Sequence, residues 1–166
     1  MAKVIYTLGN DISTDIIYPG RYMATVLPTE TPQFAFADMK DLNDTLKTKQ
    51  VPPGSVIVGG KNFGCGSSRE QAVSALKGYD LIIIARNFAR IFFQNSINLG
   101  LQTVTCPDVD AQIGDELEIT PAEVFNKTSG KTFPVVPLPK ARQAIVEAGG
   151  LIPYTRTLVL AKAGPG

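Results

Sequence analysis

Residues 59–72 read Gly59-Gly60-Lys61-Asn62-Phe63-Gly64-Cys65-Gly66-Ser67-Ser68-Arg69-Glu70-Gln71-Ala72, a glycine-rich turn running into two hydroxyls and a guanidinium. A helix that begins at those serines presents backbone N–H groups without intrahelical acceptors, a site for a carboxylate or a developing oxyanion. Arg69 can add a two-pronged carboxylate contact. A serine held at such a terminus has its alkoxide stabilised, and can act as a base without a histidine. The same residues also fit capping alone, because Ser67 and Ser68 are each followed three positions later by Glu70 or Gln71, the capping-box spacing. Both readings stand. The Gly-Lys-Ser/Thr ending of a Walker loop is missing, and so is a Gly-x-Ser-x-Gly nucleophile elbow.

A second polar cluster is Asn10-Asp11-Ile12-Ser13-Thr14-Asp15-Ile16-Ile17-Tyr18-Pro19-Gly20-Arg21-Tyr22, with two aspartates and Arg21 in a stretch lacking periodicity. Taken singly, each of these charges also suits a turn or a solvated surface. The third runs from Arg86 to Leu101. Its apolar positions are core, but Arg90, Asn95 and Asn98 are many polar residues for a packing helix.

The 166-residue chain contains no histidine and two cysteines, Cys65 and Cys106. A Ser-His-Asp triad, a Cys-His pair and a His-rich zinc site are therefore impossible within it. Two cysteines cannot supply the usual ligand set of an iron–sulfur cluster either, so no metal site is expected. Any chemistry here uses other groups or borrows them.

The elements around these segments alternate. Val4–Leu8 and Ser55–Gly59 read as strands, and residues 11–33, punctuated by four prolines and glycines, read as a long loop. Residues 34–47 carry a helical pattern through Phe36, Met39, Leu42 and Leu46. Ser67–Lys77 and Asn87–Asn98 read as helices, Asp80–Ala85 and Leu101–Thr105 as strands, with Gly100 as a C-cap glycine. That alternation implies parallel, right-handed crossovers. Beyond Pro107, Ile113–Ile119 and Lys131–Val136 read as antiparallel strands about the turn at Ser129-Gly130, and Pro139–Ala148 as a last helix. The expectation is one α/β domain over residues 1–160 and a disordered tail at 161–166.

Lysines and arginines number 16 against 15 acidic residues, a net charge of +1 without basic runs. This argues against a nucleic-acid binder. The opening residues lack a signal-peptide core, and nowhere do 18 apolar residues follow one another. A cytoplasmic protein without a membrane partner is expected.

Together, residues 11–22, 60–72 and 88–98 resemble the small subunits of 3-isopropylmalate dehydratases and the matching domain of aconitases, and the likeness runs in order from about residue 5 to 120. The resemblance implies a swivelling β/β/α fold and a large partner subunit that holds a [4Fe–4S] cluster, with none bound by this chain. It implies Ser67 as the base that takes a proton from carbon. Arg69, Ser68 and Thr14 become substrate-binding residues, with Arg21 as a substrate or interface contact. Asp15 corresponds to the aspartate that orients an acid group on the partner. Cys65 reads as structural.

In this family, substrate choice depends on the loop after Arg-Tyr, here Met23-Ala24-Thr25-Val26-Leu27. Relatives that accept a third carboxylate tend to carry an arginine there. An apolar loop suits a branched alkyl group and leaves a third carboxylate unpaired. The expected reaction is therefore isomerisation of 2- and 3-isopropylmalate by dehydration and rehydration, in leucine biosynthesis. The alternatives are homoaconitase, a related dehydratase such as that for 2,3-dimethylmalate, or a binding module that kept the fold and lost the activity. Retention of Ser67, Arg69 and Asp15 speaks against the last. Residues 22–33 hold few core-anchoring side chains, so this loop is expected to be mobile without the partner. Self-association of the isolated chain stays open.

Overall fold

The computed structural model describes residues 1–48 and 50–163. Strands β1 (Ala2–Thr7), β2 (Val56–Val58), β3 (Ile82–Ala85) and β4 (Gln102–Thr105) pair in parallel, in the spatial order β4-β3-β2-β1. Between them run α2 (Lys40–Thr48), α3 (Glu70–Lys77) and α4 (Arg90–Leu99), preceded by the single turn α1 (Thr14–Ile17). The βαβαβ alternation read from residues 56–105 is present. Ile57, Ile83 and Ala85 belong to one core with Ala72, Val73 and Leu76 of α3 and Phe92 of α4. Their strand neighbours Val56, Val58, Ile84 and Val104 point the other way and pack with Leu117 and Val124. Burial on both faces explains why these strands are continuous apolar runs.

The second face is covered by the chain's own antiparallel half. Strands β5 (Glu116–Ile119), β6 (Glu123–Asn126) and β7 (Lys131–Pro134) extend the sheet beyond β1, where Ala2 stands opposite Leu117. The Val136 N–H donates to the Thr105 carbonyl at 2.9 Å, so the chain after β7 meets the far edge of β4 and the seven-stranded sheet curls upon itself. A mixed α/β fold with a parallel core and added antiparallel strands results, as expected.

Four local readings change. The two antiparallel strands expected beyond Pro107 do not pair with each other, because β6 lies between them. Its four residues bury Val124 and Asn126, too short a pattern to stand out. The helix expected over residues 34–47 begins only at Lys40, since Phe36 adopts a positive φ of 53° and is wholly buried. Residues 11–33 contain α1 and two 3-10 turns, Gly20–Tyr22 and Thr31–Phe34. Finally, α5 (Lys140–Glu147) is followed by α6 (Leu151–Ala163), which runs three residues into the expected tail; residues 164–166 lie outside the described residues. Helix α6 has no clean apolar stripe, and Pro153 falls in its first turn, where the missing N–H is tolerated. Among the described residues, no helix is long and apolar enough to cross a membrane.

Candidate active site

The loops that leave the carboxyl ends of β1, β2 and β3 continue side by side, the position where open α/β sheets place ligands. The Gly64 N–H donates to the Ile12 carbonyl and the Thr14 N–H to the Cys65 carbonyl, both at 2.7 Å, and Ser13 bridges Cys65 in parallel. On the other flank Phe63 bridges Phe88. The three polar segments of the sequence thus meet at one end of the sheet. Beneath them Phe63, Phe88 and Phe92 pack edge-to-face and stacked, with ring centroids 5.5–6.2 Å apart.

Gly64 rests against this aromatic floor with φ +83°, and a Cβ there would sit 2.2 Å from Phe92 Cγ. Gly66 has φ +99° and turns the chain toward Thr14. The turn delivers Ser67 to an exposed position directly over the buried Thr14, whose residual exposure is 1%. The Ser67 N–H donates to Thr14 Oγ1 at 3.1 Å. The same Thr14 oxygen lies 3.1 Å from the Ser67 carbonyl oxygen and 3.1 Å from Ser67 Oγ.

Neither serine caps α3. The helix starts at Glu70, and Arg69 occupies the cap position without a side-chain hydrogen bond. The capping-box reading of Ser67 and Ser68 is corrected by this geometry, since both precede the cap and both are exposed. No side chain caps α3, and the Ala72 N–H of its first turn donates back to the Arg69 carbonyl at 3.3 Å, which leaves the N–H groups before it for an anion.

Arg69 Nη1 reaches the Asp15 carboxylate and donates to the Tyr18 carbonyl at 3.2 Å. Gly20 makes room, because a Cβ there would stand 3.3 Å from Arg69 Nη2. The Asp15 side chain is 63% exposed and that of Arg69 18%. Arg21 stands apart from this pair. Its guanidinium makes a two-pronged contact with Asp38, Nη1 to Oδ2 at 3.0 Å and Nη2 to Oδ1 at 2.5 Å, and lies over the Tyr22 ring, 4.6 Å from its centroid. Hydrogen bonds from Arg21 hold the Asp38 carboxyl below the ordinary carboxylate range, and the Arg21 guanidinium is correspondingly held charged.

The loop from Met23 to Leu27 carries exposed Met23, Ala24, Val26 and Leu27, while Thr25 is half-buried. It is better anchored than its composition implies. The buried Tyr18 donates its hydroxyl to the Tyr22 and Thr25 carbonyls, at 2.9 and 3.3 Å, and Gln71 donates to the Met23 carbonyl at 3.2 Å. Thr31 is fully buried with its hydroxyl 2.8 Å from that of Ser74, and Tyr22 stacks on Phe34 at 4.0 Å. Burial raises the Tyr18 pKa, so its hydroxyl stays a donor.

Arg90 lines a shallow cavity of about 290 Å³ with Phe93, Gln94 and Arg142, and Asn98 accepts from Gln94 on its own helix at 3.1 Å. Asp11 accepts from Asn62 at 3.0 Å and braces the loops. Cavities of about 520 and 470 Å³ are lined by residues of the sheet edge, α5 and the α3–β3 turn, with none from the Ser67 loop. The Ser67 set occupies an open face. Cys65 is half-buried in the loop behind Ser67, Cys106 is fully buried on the other face of the sheet, and both are free thiols. Among the described residues, no group of three or more metal-ligating side chains exists. Asp38, which fixes Arg21, lies outside all three polar segments, and nothing local in the sequence marks it. Gln71 is legible only as a capping partner, yet its contact is with the loop.

The Aconitase C-terminal domain family matches residues 11–109. The chain is 43% identical to the 3-isopropylmalate dehydratase small subunit of Methanosarcina mazei, over 93% of this chain and 95% of that one. It is also 43% identical to the isopropylmalate/citramalate isomerase small subunit of Methanocaldococcus jannaschii, over 92% and 91%. The crystal structure of 3-isopropylmalate dehydratase from the latter organism superposes with a TM-score of 0.87 at 36% identity, covering 99% of this chain and 98% of that one. Identity, coverage and the curled seven-stranded sheet agree, and the chain belongs to the 3-isopropylmalate dehydratase small subunits, hydro-lyase subunits of the aconitase family.

Proposed function

We propose that this chain, joined to a large iron–sulfur subunit, interconverts 2-isopropylmalate and 3-isopropylmalate in leucine biosynthesis, in the cytoplasm. One observation carries the reading. Ser67, Arg69 and Asp15, which are 52 to 54 residues apart in sequence where they meet across the two loops, form a half-site in which Ser67 and Asp15 are exposed beside the partly buried Arg69. A half-site of this kind needs a second surface. An iron–sulfur cluster held by that partner would supply Lewis-acid chemistry at the substrate hydroxyl, since no group of three or more metal-ligating side chains exists among the described residues of this chain.

Ser67 Oγ takes the proton from the substrate carbon. The C–H electron pair becomes the double bond as the C–O bond on the neighbouring carbon breaks. Rehydration returns the proton to the adjacent carbon, so Ser67 ends in the state in which it began. Arg69 and the open first turn of α3, with Ser68 beside it, bind carboxylate oxygens. Arg21 provides a second cationic contact, and Asp15 orients an acid group on the partner. The exposed apolar side chains of Met23, Val26 and Leu27 receive the isopropyl group.

A second reading is citramalate, whose isomerase shares its name with isopropylmalate in the Methanocaldococcus relative. Mixing the chain with a cluster-bearing large subunit and following absorbance of the unsaturated intermediate tests both. Turnover of 3-isopropylmalate with a kcat/KM above that for citramalate is expected, and the reverse order favours the second reading.

A further inference from the structure

We infer that Thr14 is a positioning residue that holds Ser67 and stabilises its alkoxide, rather than a contact for the substrate. The inference rests on the reading of Ser67 as the base. Thr14 is 1% exposed, so its side chain has no surface to offer a ligand. Its hydroxyl is committed to three atoms of one residue, the nitrogen, carbonyl oxygen and Oγ of Ser67, each at 3.1 Å.

A threonine hydroxyl has one proton and two lone pairs. One lone pair of Thr14 Oγ1 accepts the Ser67 N–H, which fixes the Ser67 backbone. The single proton then has two possible acceptors, the Ser67 carbonyl oxygen and Ser67 Oγ. When Ser67 is a neutral hydroxyl, it can donate to the free lone pair of Thr14, and the Thr14 proton points at the carbonyl. When Ser67 is an alkoxide, it can only accept, and the Thr14 proton turns to it. A hydrogen bond to a charged oxygen is about twice as strong as a neutral one. The alkoxide is therefore favoured by a donor that needs only a torsional turn, with no reorganisation of the backbone. No proton leaves Thr14, and the proton taken from carbon resides on Ser67 Oγ until it returns to the adjacent carbon.

The geometry is built, not incidental. The Thr14 N–H is itself pinned to the Cys65 carbonyl at 2.7 Å, and α1 continues from Thr14 with Ser13 capping it, Oγ to the Ile16 N–H at 3.3 Å. On the other side, the positive φ of Gly66 brings the chain within contact distance of Thr14, where a Cβ would stand 3.4 Å from Oγ1. Both partners of the hydroxyl pair are thus set by backbone.

The test uses the chain assembled with its large subunit. Thr14→Val keeps the shape and removes the hydroxyl. We expect kcat to fall by roughly 10²-fold, as for loss of a preorganised donor, with KM nearly unchanged, and the acid limb of the kcat/KM profile to move to higher pH. Thr14→Ser keeps the hydroxyl and should restore kcat and the pH profile. Should Thr14→Val not assemble, Thr14→Ala carries the same expectation without added bulk. Ser67→Ala is measured beside them. A normal kcat and pH profile in Thr14→Val, with Ser67→Ala inactive, overturns the role of Thr14 and leaves that of Ser67 intact. A loss in Thr14→Ser beside normal turnover in Thr14→Val would show that the methyl matters rather than the hydroxyl, which also overturns it. An active Ser67→Ala overturns the underlying reading instead.

Discussion

Arg69 and Asp15 are paired with each other across the two loops, and the same Arg69 nitrogen also donates to the Tyr18 carbonyl. The pair fixes a guanidinium on a side chain that is only 18% exposed. A lysine can replace the charge but not the planar fork that serves Asp15, Tyr18 and a carboxylate at once. Arg69→Lys is expected to raise KM by about tenfold or more, a loss of about 1.4 kcal/mol or more in binding, with a smaller effect on kcat. Steady-state kinetics of the assembled enzyme measures both. A KM within twofold of wild type would remove Arg69 from substrate binding.

Ser67→Ala separates chemistry from stability. Because α3 starts beyond Ser67 and has no side-chain cap, the mutation removes no capping bond. Exposed substitutions away from such features usually stay within about 0.5 kcal/mol. Turnover, in contrast, is expected to fall by about 10²–10⁴-fold or more with loss of the base. Denaturant unfolding of the mutant and its kcat with the large subunit test the two halves. Near-normal turnover would leave Ser67 without a catalytic role.

What the sequence shows of this site follows from where the signals are stored. The polar segments are legible because glycine, hydroxyl and guanidinium types cluster within each loop. The parallel core is legible because Ile83 and Ile84 are buried on opposite faces and, with the partly buried Ile82, form an unbroken apolar run. The pairings that do the positioning are not legible. Thr14 to Ser67, Arg69 to Asp15 and Arg21 to Asp38 span 53, 54 and 17 residues, and local periodicity carries no trace of them. The capping reading of Ser67 fails for the same reason, since a local pattern yields to the long-range bond that Thr14 makes.

Cys106 gives a prediction in pH. Burial, with Asp108 nearby, pushes its thiol up to about 11 from an ordinary value of 9.0. The folded chain then binds this proton more tightly than the unfolded one. The stability that follows is complete below pH 9 and is lost as pH rises through about 11. In a Cys65→Ser background, Cys106 should resist iodoacetamide at pH 8 and react once the chain is unfolded, as read by intact mass. Fast alkylation of the folded chain at that pH would contradict its burial.

The loop from Met23 to Leu27 is the place to change the substrate. Its backbone is held by Tyr18 and Gln71, at Thr25 and Met23, while the side chains of Met23, Val26 and Leu27 remain 40–64% exposed. A frame anchored through carbonyls tolerates a new side chain without a change of path. Ala24 is exposed between the two anchors, so an arginine there meets no buried wall. An apolar loop leaves a third carboxylate without a partner, a cost on the order of 1–3 kcal/mol. Ala24→Arg supplies that partner and adds bulk where an isopropyl group is expected to lie. The ratio of kcat/KM for homoaconitate-type acids to that for 3-isopropylmalate should rise at least about tenfold, with the two chains mixed in the same proportion and a single large subunit used throughout. An unchanged ratio would mean that the loop does not read the substituent, and the apolar side chains at Met23, Val26 and Leu27 would then have to be explained by contact with the large subunit alone.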